Sequence, residues 1–322
     1  MIDRRLFVAG AAASLAAPAI RAQSLPTQPV RIIVGFAPGG GTDILARVVG
    51  QKLGDMWKTQ VIVENRAGAS GAIAADMVAK QTGDGTVLHM AHINSHAIVP
   101  NLQKVGYDPI KDFQPIAMVG VTPNLLICGQ SQTARTVKDL VDLCKQNPGK
   151  VTFGSAGSGS AQHLALEMFM LQAGVKAIHV PYKGSGPMLT ELIGGQLQYS
   201  FDTMTAATPH VKAGRAIPMA QTRLKRAASH PNVPTMAESG FPGFEATTWY
   251  GLVGPGRMSP ALARRINEDV NKALAMPDVI ERLEASGAED GGGSPEKFAQ
   301  FIQADLQKWG KVIKAAGVKV DS

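Results

Sequence analysis

Cysteine is nearly missing from these 322 residues: there are two, Cys128 and Cys144. That excludes a disulfide-stapled scaffold, and the two are not spaced like metal ligands. Cys128 ends an apolar strand and Cys144 sits in a helical pattern over 137–146, so a bridge and two buried free thiols fit equally well. Aromatic residues are only 5% of the chain, and its lysines are scattered without a basic run. A nucleic-acid partner is therefore not expected. Beyond the N-terminus no segment approaches eighteen uninterrupted apolar residues, so the mature protein reads as soluble. Nucleotide signatures are missing too. No lysine follows the glycines of 39–41, and Pro38-Gly-Gly-Gly lacks the dinucleotide spacing. His89, His92 and His96 come closest to a metal cluster, but no Asp or Glu lies among them; no metal or cofactor is expected. There is no periodic repeat.

Glycine and proline are plentiful, at 35 and 20, and hydrophobic residues make up 45%, the composition of a folded chain with many defined turns. Asp3-Arg-Arg-Leu-Phe-Val8, an Ala-rich apolar stretch to Ile20, and Arg21-Ala22 form an export signal over residues 1–22, with cleavage after Ala22. The paired arginines leave twin-arginine and ordinary export both open. The formal charge is +7, and the signal holds three arginines and one aspartate, so the mature chain carries about +5. A mild positive surplus suits an anionic small ligand.

Two similar loops stand out, one in each half. Val30-Arg-Ile-Ile-Val-Gly-Phe-Ala-Pro-Gly-Gly-Gly-Thr-Asp43 and Lys150-Val-Thr-Phe-Gly-Ser-Ala-Gly-Ser-Gly-Ser160 each run from a β-branched strand through a Gly/Ser turn into a helical pattern. Free N–H groups at such a helix start cradle anions. Short strands alternate with helices through Met90, and the alternation restarts at 150. The fold class is therefore α/β, with largely parallel sheets. The run Ile116–Cys128 and the strand Thr247–Val253 are the crossovers between two lobes. Residues 23–122 and 248–322 form the first lobe and 123–247 the second, with a ligand cleft between them.

The candidate ligand-binding residues follow from these junctions. The first loop offers Ala37, Gly39, Gly40, Gly41 and Thr42, while Asp43 reads as a structural cap. The second offers Ser155, Gly157, Ser158, Gly159 and Ser160. A third strand–turn–helix junction, 65–71, adds Ser70. His92 reads as a polar cleft-edge residue. Asp202 follows a strand, where its acid either meets a ligand or fixes a neighbouring loop. Trp249 and Tyr250 wall the cleft or pack as hinge aromatics. A serine hydrolase using Ser158 or Ser160 is the rival reading; His163, one turn away, is poorly placed for a triad.

With Val63-Glu-Asn-Arg-Ala-Gly-Ala-Ser-Gly71, Val180-Pro-Tyr-Lys-Gly184, Val233-Pro-Thr-Met-Ala-Glu-Ser-Gly240 and Trp249-Tyr-Gly-Leu-Val-Gly-Pro255 added to the two loops, essentially the whole mature chain resembles one family. It is similar to the extracytoplasmic solute receptors of the tripartite tricarboxylate transporter family, also called the Bordetella uptake gene family. The resemblance implies a type II periplasmic binding protein. Two α/β lobes, each a mostly parallel sheet flanked by helices, would close on a small carboxylate-bearing solute and present it to a membrane permease. It implies no catalysis, a periplasmic location and a monomer. It also implies that the solute's carboxylate is held by Gly39–Thr42 and Ser155–Ser160, with Asp202 a further contact. A sensor feeding a membrane signalling partner would use the same cleft.

Overall fold

β-Branched runs and glycine-rich junctions produce the expected alternation. In the computed structural model, which describes residues 25–289 and 291–316, β1 (Val30–Val34) leads into α1 (Gly41–Trp57). The export signal expected over 1–22 lies outside the described residues. β2 (Val61–Asn65) is followed by a tight turn, Ala69–Gly71, and α2 (Ala72–Ala79). β3 (Val87–His92) ends in a five-residue π-turn, Asn94–Ile98, and the short α3 (Val99–Leu102). Pro100 and Asp108-Pro109 make 96–113 read as irregular in the sequence; the structure instead makes its start helical. Pro100 lies in the first turn of α3, where its missing N–H costs no hydrogen bond.

β4 (Phe113–Gly129) then runs 17 residues into the second half. There α4 (Val137–Gln146), β5 (Thr152–Ser155), α5 (Ala161–Ala173), β6 (Ile178–Pro181), α6 (Ser185–Ile193), β7 (Tyr199–Thr203), α7 (Met204–Lys212) and β8 (Ala216–Gln221) follow. β9 (Thr247–Pro255) returns, and α8 (Pro260–Leu274), α9 (Pro277–Ala285) and α10 (Pro295–Ala316) complete the described chain.

The strand order is β2-β1-β3-β9-β4-β7-β5-β6, with β8 also on β4. β4 changes partners midway: Phe113–Pro123 pairs with β9, and Asn124–Gly129 pairs with β7 and β8. Two α/β lobes thus share one strand as their spine. Each lobe's own strands are parallel, as expected, and the crossover strands make the sheet mixed. β1 with β2 and β3, and β5 with β6 and β7, are parallel, but every pairing of β4 and β9 is antiparallel. The crossovers run in opposite directions between the lobes, so each enters its sheet against the local direction.

Each sheet is covered on both faces. α1 buries Leu45, Ala46, Val48, Val49 and Leu53 on one side of the first sheet, a helical stripe worth about 1.5–3 kcal/mol per large side chain. Phe298, Ile302 and Trp309 of α10 cover its other side with α2. In the second lobe Phe153, Phe169, Tyr199 and Phe201 form the core on one face. Cys128 and Cys144 lie buried there as free thiols, and burial pushes both up to about 11. Among the described residues, no helix is long and apolar enough to cross a membrane.

Candidate functional site

Four helices begin at one point on the seam between the lobes. A cavity of about 10 Å³ there, enough for one water-sized group, is lined by Gly41 and Thr42 of α1, Gln162 of α5, Ser185 of α6 and the α7 N-cap Thr203. Phe36, Gly40, His92, Ala156 and Tyr250 complete the wall. Three of these helices, α1, α6 and α7, have no side-chain cap, so their first N–H groups are unclaimed by a capping side chain. Each helix start favours an anion by roughly 0.3–1 kcal/mol, and more where water is excluded.

The wall contains no charged side chain. Its polar groups are buried and touch one another: Tyr250 OH is hydrogen-bonded with the Thr203 and Thr205 hydroxyls, and Gln162 with Asp202. These polar groups converge on one cavity at the seam. His92 adds a fixed donor. Burial, aided by neighbouring His89, lowers its pKa to about 3, so the ring is neutral. Asn94 N–H donates to its Nδ1 at 3.1 Å, which leaves the proton on Nε2. Gly41 is required by space: a Cβ there would run into Tyr250 OH.

A second, open compartment of about 330 Å³ shares Phe36 and Ala156 with the cavity and includes Ser70, Gly157, Ser158 and Lys183. Direct hydrogen bonds close the seam around both. Ala37 N–H donates to Lys183 O at 2.9 Å, Ser70 Oγ to Ser158 O at 2.7 Å, and Ala161 N–H to Asn94 Oδ1 at 2.9 Å. Gly157 has φ +134°, and a Cβ there would lie 2.7 Å from Ser70 Oγ. The lobes are closed on each other.

Sequence and structure comparisons agree on this architecture. The description "Tripartite tricarboxylate transporter family receptor" matches residues 45–318. The UPF0065 protein of the tcbD-tcbE intergenic region of Pseudomonas sp. (strain P51) is 36% identical over 319 residues, 97% of this chain and 94% of that one. The chain belongs to this receptor family. Rpa4515 of R. palustris, solved with adipate, superposes with a TM-score of 0.88 at 35% identity, over 92% of this chain and 99% of that one. MatC from Rhodopseudomonas palustris, solved with bound malate, superposes at 0.84 and 29% identity, over 90% and 100%. The family comprises periplasmic solute receptors, not enzymes.

The receptor uses its sequence-predicted residues unevenly. Gly40, Gly41, Thr42 and His92 line the inner cavity; Ser70, Gly157 and Ser158 line the outer compartment. Ala37 N–H is taken by the seam, and Gly39 N–H by Asp43 Oδ2 at 3.0 Å. Asp43 braces the loop as its cap reading anticipates. Burial works against its charge, but hydrogen bonds from Arg47, Gly39 and Asn65 outweigh it and hold the carboxyl below its ordinary range. In the second loop, Ser155 Oγ is engaged with His179 Nε2 at 2.6 Å and with Gly157. Gly159 N–H donates to His163 Nδ1 and Ser160 Oγ caps α5.

Asp202 stands one layer behind the wall. Ser185 Oγ donates to its Oδ1 at 2.5 Å and Thr203 N–H at 2.9 Å, and the Gln162 side chain also bonds the carboxylate. Complete burial raises its pKa to about 7 against these bonds. The histidines are core residues: His89 Nδ1 meets Ile33 O at 2.9 Å, and His89 stacks on His96. Among the described residues no group of three or more ligating side chains can hold a metal. Sequence reasoning missed Phe36, Ala156, Gln162, Ser185 and Thr203 as wall residues. The available signal was Gly184-Ser185 and Asp202-Thr203, two further junctions where a strand meets a helix start.

Proposed function

We propose that this receptor captures a small dicarboxylate by one carboxylate group, held where α1, α5, α6 and α7 begin. The helix N–H groups that lack a side-chain cap, and the buried hydroxyls of Thr203 and Tyr250, carry the reading. They supply donors without a buried counter-charge, which avoids the desolvation cost of a buried ion pair. The inner cavity is too small for a whole C4–C6 diacid. With a slight parting of the lobes it takes the carboxylate, and the remaining chain passes Phe36 and Ala156 into the outer compartment beside Lys183. The adipate and malate with which Rpa4515 and MatC were solved are of this class.

The mechanism is capture, closure and presentation. An open form exposes both loops; the carboxylate joins them; the closed form docks on the membrane permease of the transporter. Ala37, Gly39, Ser155, Gly159 and Ser160 shape the loops, and Asp202 orients Ser185 and Thr203. Gly40–Thr42, His92, Ser70, Gly157 and Ser158 stand nearest the solute. The receptor acts as a monomer exported by residues 1–22.

Mass spectrometry of the filtrate from denatured receptor, followed by calorimetric titration with malate, succinate, adipate and citrate, tests this. One-to-one binding of a carboxylate is expected. Failure of all four to bind, with no acid in the filtrate, would overturn the proposal.

A further inference from the structure

A groove of about 510 Å³ runs between α1 of the first lobe and α7 of the second, closed at its outer end by α9. Both flanking helices start at the solute cavity, so the groove leads outward from it. From Ile44 to Gln51 it extends seven residues along α1, about 10 Å of helix. Its apolar lining is Ile44, Val48, Pro209 and Ala285. Its rim carries Arg47, Lys212 and Arg282, and no carboxylate lines it. Arg47 is paired with Asp43 at 2.9 Å. Lys212 and Arg282 are exposed and make no ion pair among the described residues; they reach only Ala285 O at 3.5 Å and Gln51 Oε1 at 3.3 Å. Asp278, on the same helix and within the field of Arg282, is paired with Lys52 at 2.6 Å.

We propose that this groove receives an acidic, amphipathic segment of the transporter's membrane permease. An apolar side chain enters between α1 and α7, and acidic side chains meet Lys212 and Arg282 at the outer end. The inference rests on the receptor reading above and adds the docking surface. Charge complementarity sets the partner's chemistry: a cation-rimmed apolar slot selects an anionic amphipathic segment. Its two walls belong to different lobes, so it has this shape only when the lobes are closed. The Thr205 hydroxyl, buried on the groove wall, is hydrogen-bonded with Tyr250 OH of the solute cavity. Solute and partner therefore meet on opposite sides of one thin wall, and docking on the groove reads occupancy.

The test is the double variant Lys212→Glu/Arg282→Glu of the full exported chain. Calorimetry gives its affinity for the carboxylate that the wild type binds. Uptake of that labelled acid is measured in cells lacking their own copy of the receptor. Affinity within twofold of wild type and uptake reduced at least tenfold are expected, with recovery by a permease carrying compensating Lys substitutions in an acidic periplasmic segment. Unchanged uptake would overturn the groove as docking surface while leaving the receptor reading intact. Equal losses of affinity and uptake would also overturn it, because the two cations would then act through the solute site. So would salt-sensitive binding of the loaded wild type to protein-free anionic vesicles that the double variant loses, which would assign the groove to lipid. Absence of carboxylate binding in the wild type would instead remove the receptor reading on which the inference rests.

Discussion

Tyr250 OH and Thr203 Oγ1 are buried hydroxyls at the inner cavity, and in the proposed site they turn to the carboxylate. Tyr250→Phe keeps the ring packed and removes one donor to a charged group, worth about 1.5–3 kcal/mol. We predict at least a tenfold loss of carboxylate affinity by calorimetry, with the melting temperature unchanged or slightly higher. Asp202 gives a pH prediction. Its folded pKa of about 7 lies above the ordinary 3.8, so its contribution to stability is fully present below about pH 4 and is lost as pH rises through 7. Denaturation midpoints should therefore fall from pH 5 to pH 8, and Asp202→Asn should flatten that part of the profile. Carboxylate affinity should fall over the same range in the wild type alone, because an ionised Asp202 repels the bound anion through the wall.

At the scale of elements, the junctions were legible because strand, glycine and helix pattern follow one another within a dozen residues. What each loop group does was less so. Ser155 and Ser160 have the chemistry of ligand hydroxyls, yet one meets His179, 24 residues away, and the other caps its own helix. Spacing along the chain does not encode the first of those contacts. Gln162, Ser185 and Thr203 escaped notice because each is an ordinary polar residue until four helix starts are brought together. α9 was missed because Met276-Pro277 reads as a break, whereas the proline occupies the first turn of a new helix. The latches across the seam also belong to this scale. Asn94→Ala leaves the Ala161 N–H without its acceptor at a cost of about 1–2 kcal/mol to the closed form. An affinity loss of about five- to thirtyfold in titration is the expected outcome, with the unliganded protein's unfolding little changed.

For the whole molecule, the α/β class and the crossovers follow from alternating strands and helices and from the long apolar run Ile116–Cys128. Strand direction at the crossovers did not follow, since it depends on how two distant segments enter one sheet. Two lobes on a β4–β9 spine, bridged by seam hydrogen bonds and by the Arg223–Glu289 ion pair, make closure the molecule's main degree of freedom. Solution scattering should show the radius of gyration falling when the solute is added. An unchanged radius would contradict closure on the solute.

The central claim is that a carboxylate binds where the four helix starts meet. The most direct test is calorimetric titration of Gly41→Ala beside the wild type, using the acid recovered from the purified receptor. A Cβ at 41 collides with Tyr250 OH and occupies the cavity without touching the outer compartment. The account predicts that the folded variant loses at least a hundredfold in affinity, about 2.7 kcal/mol. A folded Gly41→Ala receptor that binds the acid as the wild type does would place the carboxylate elsewhere and contradict the account.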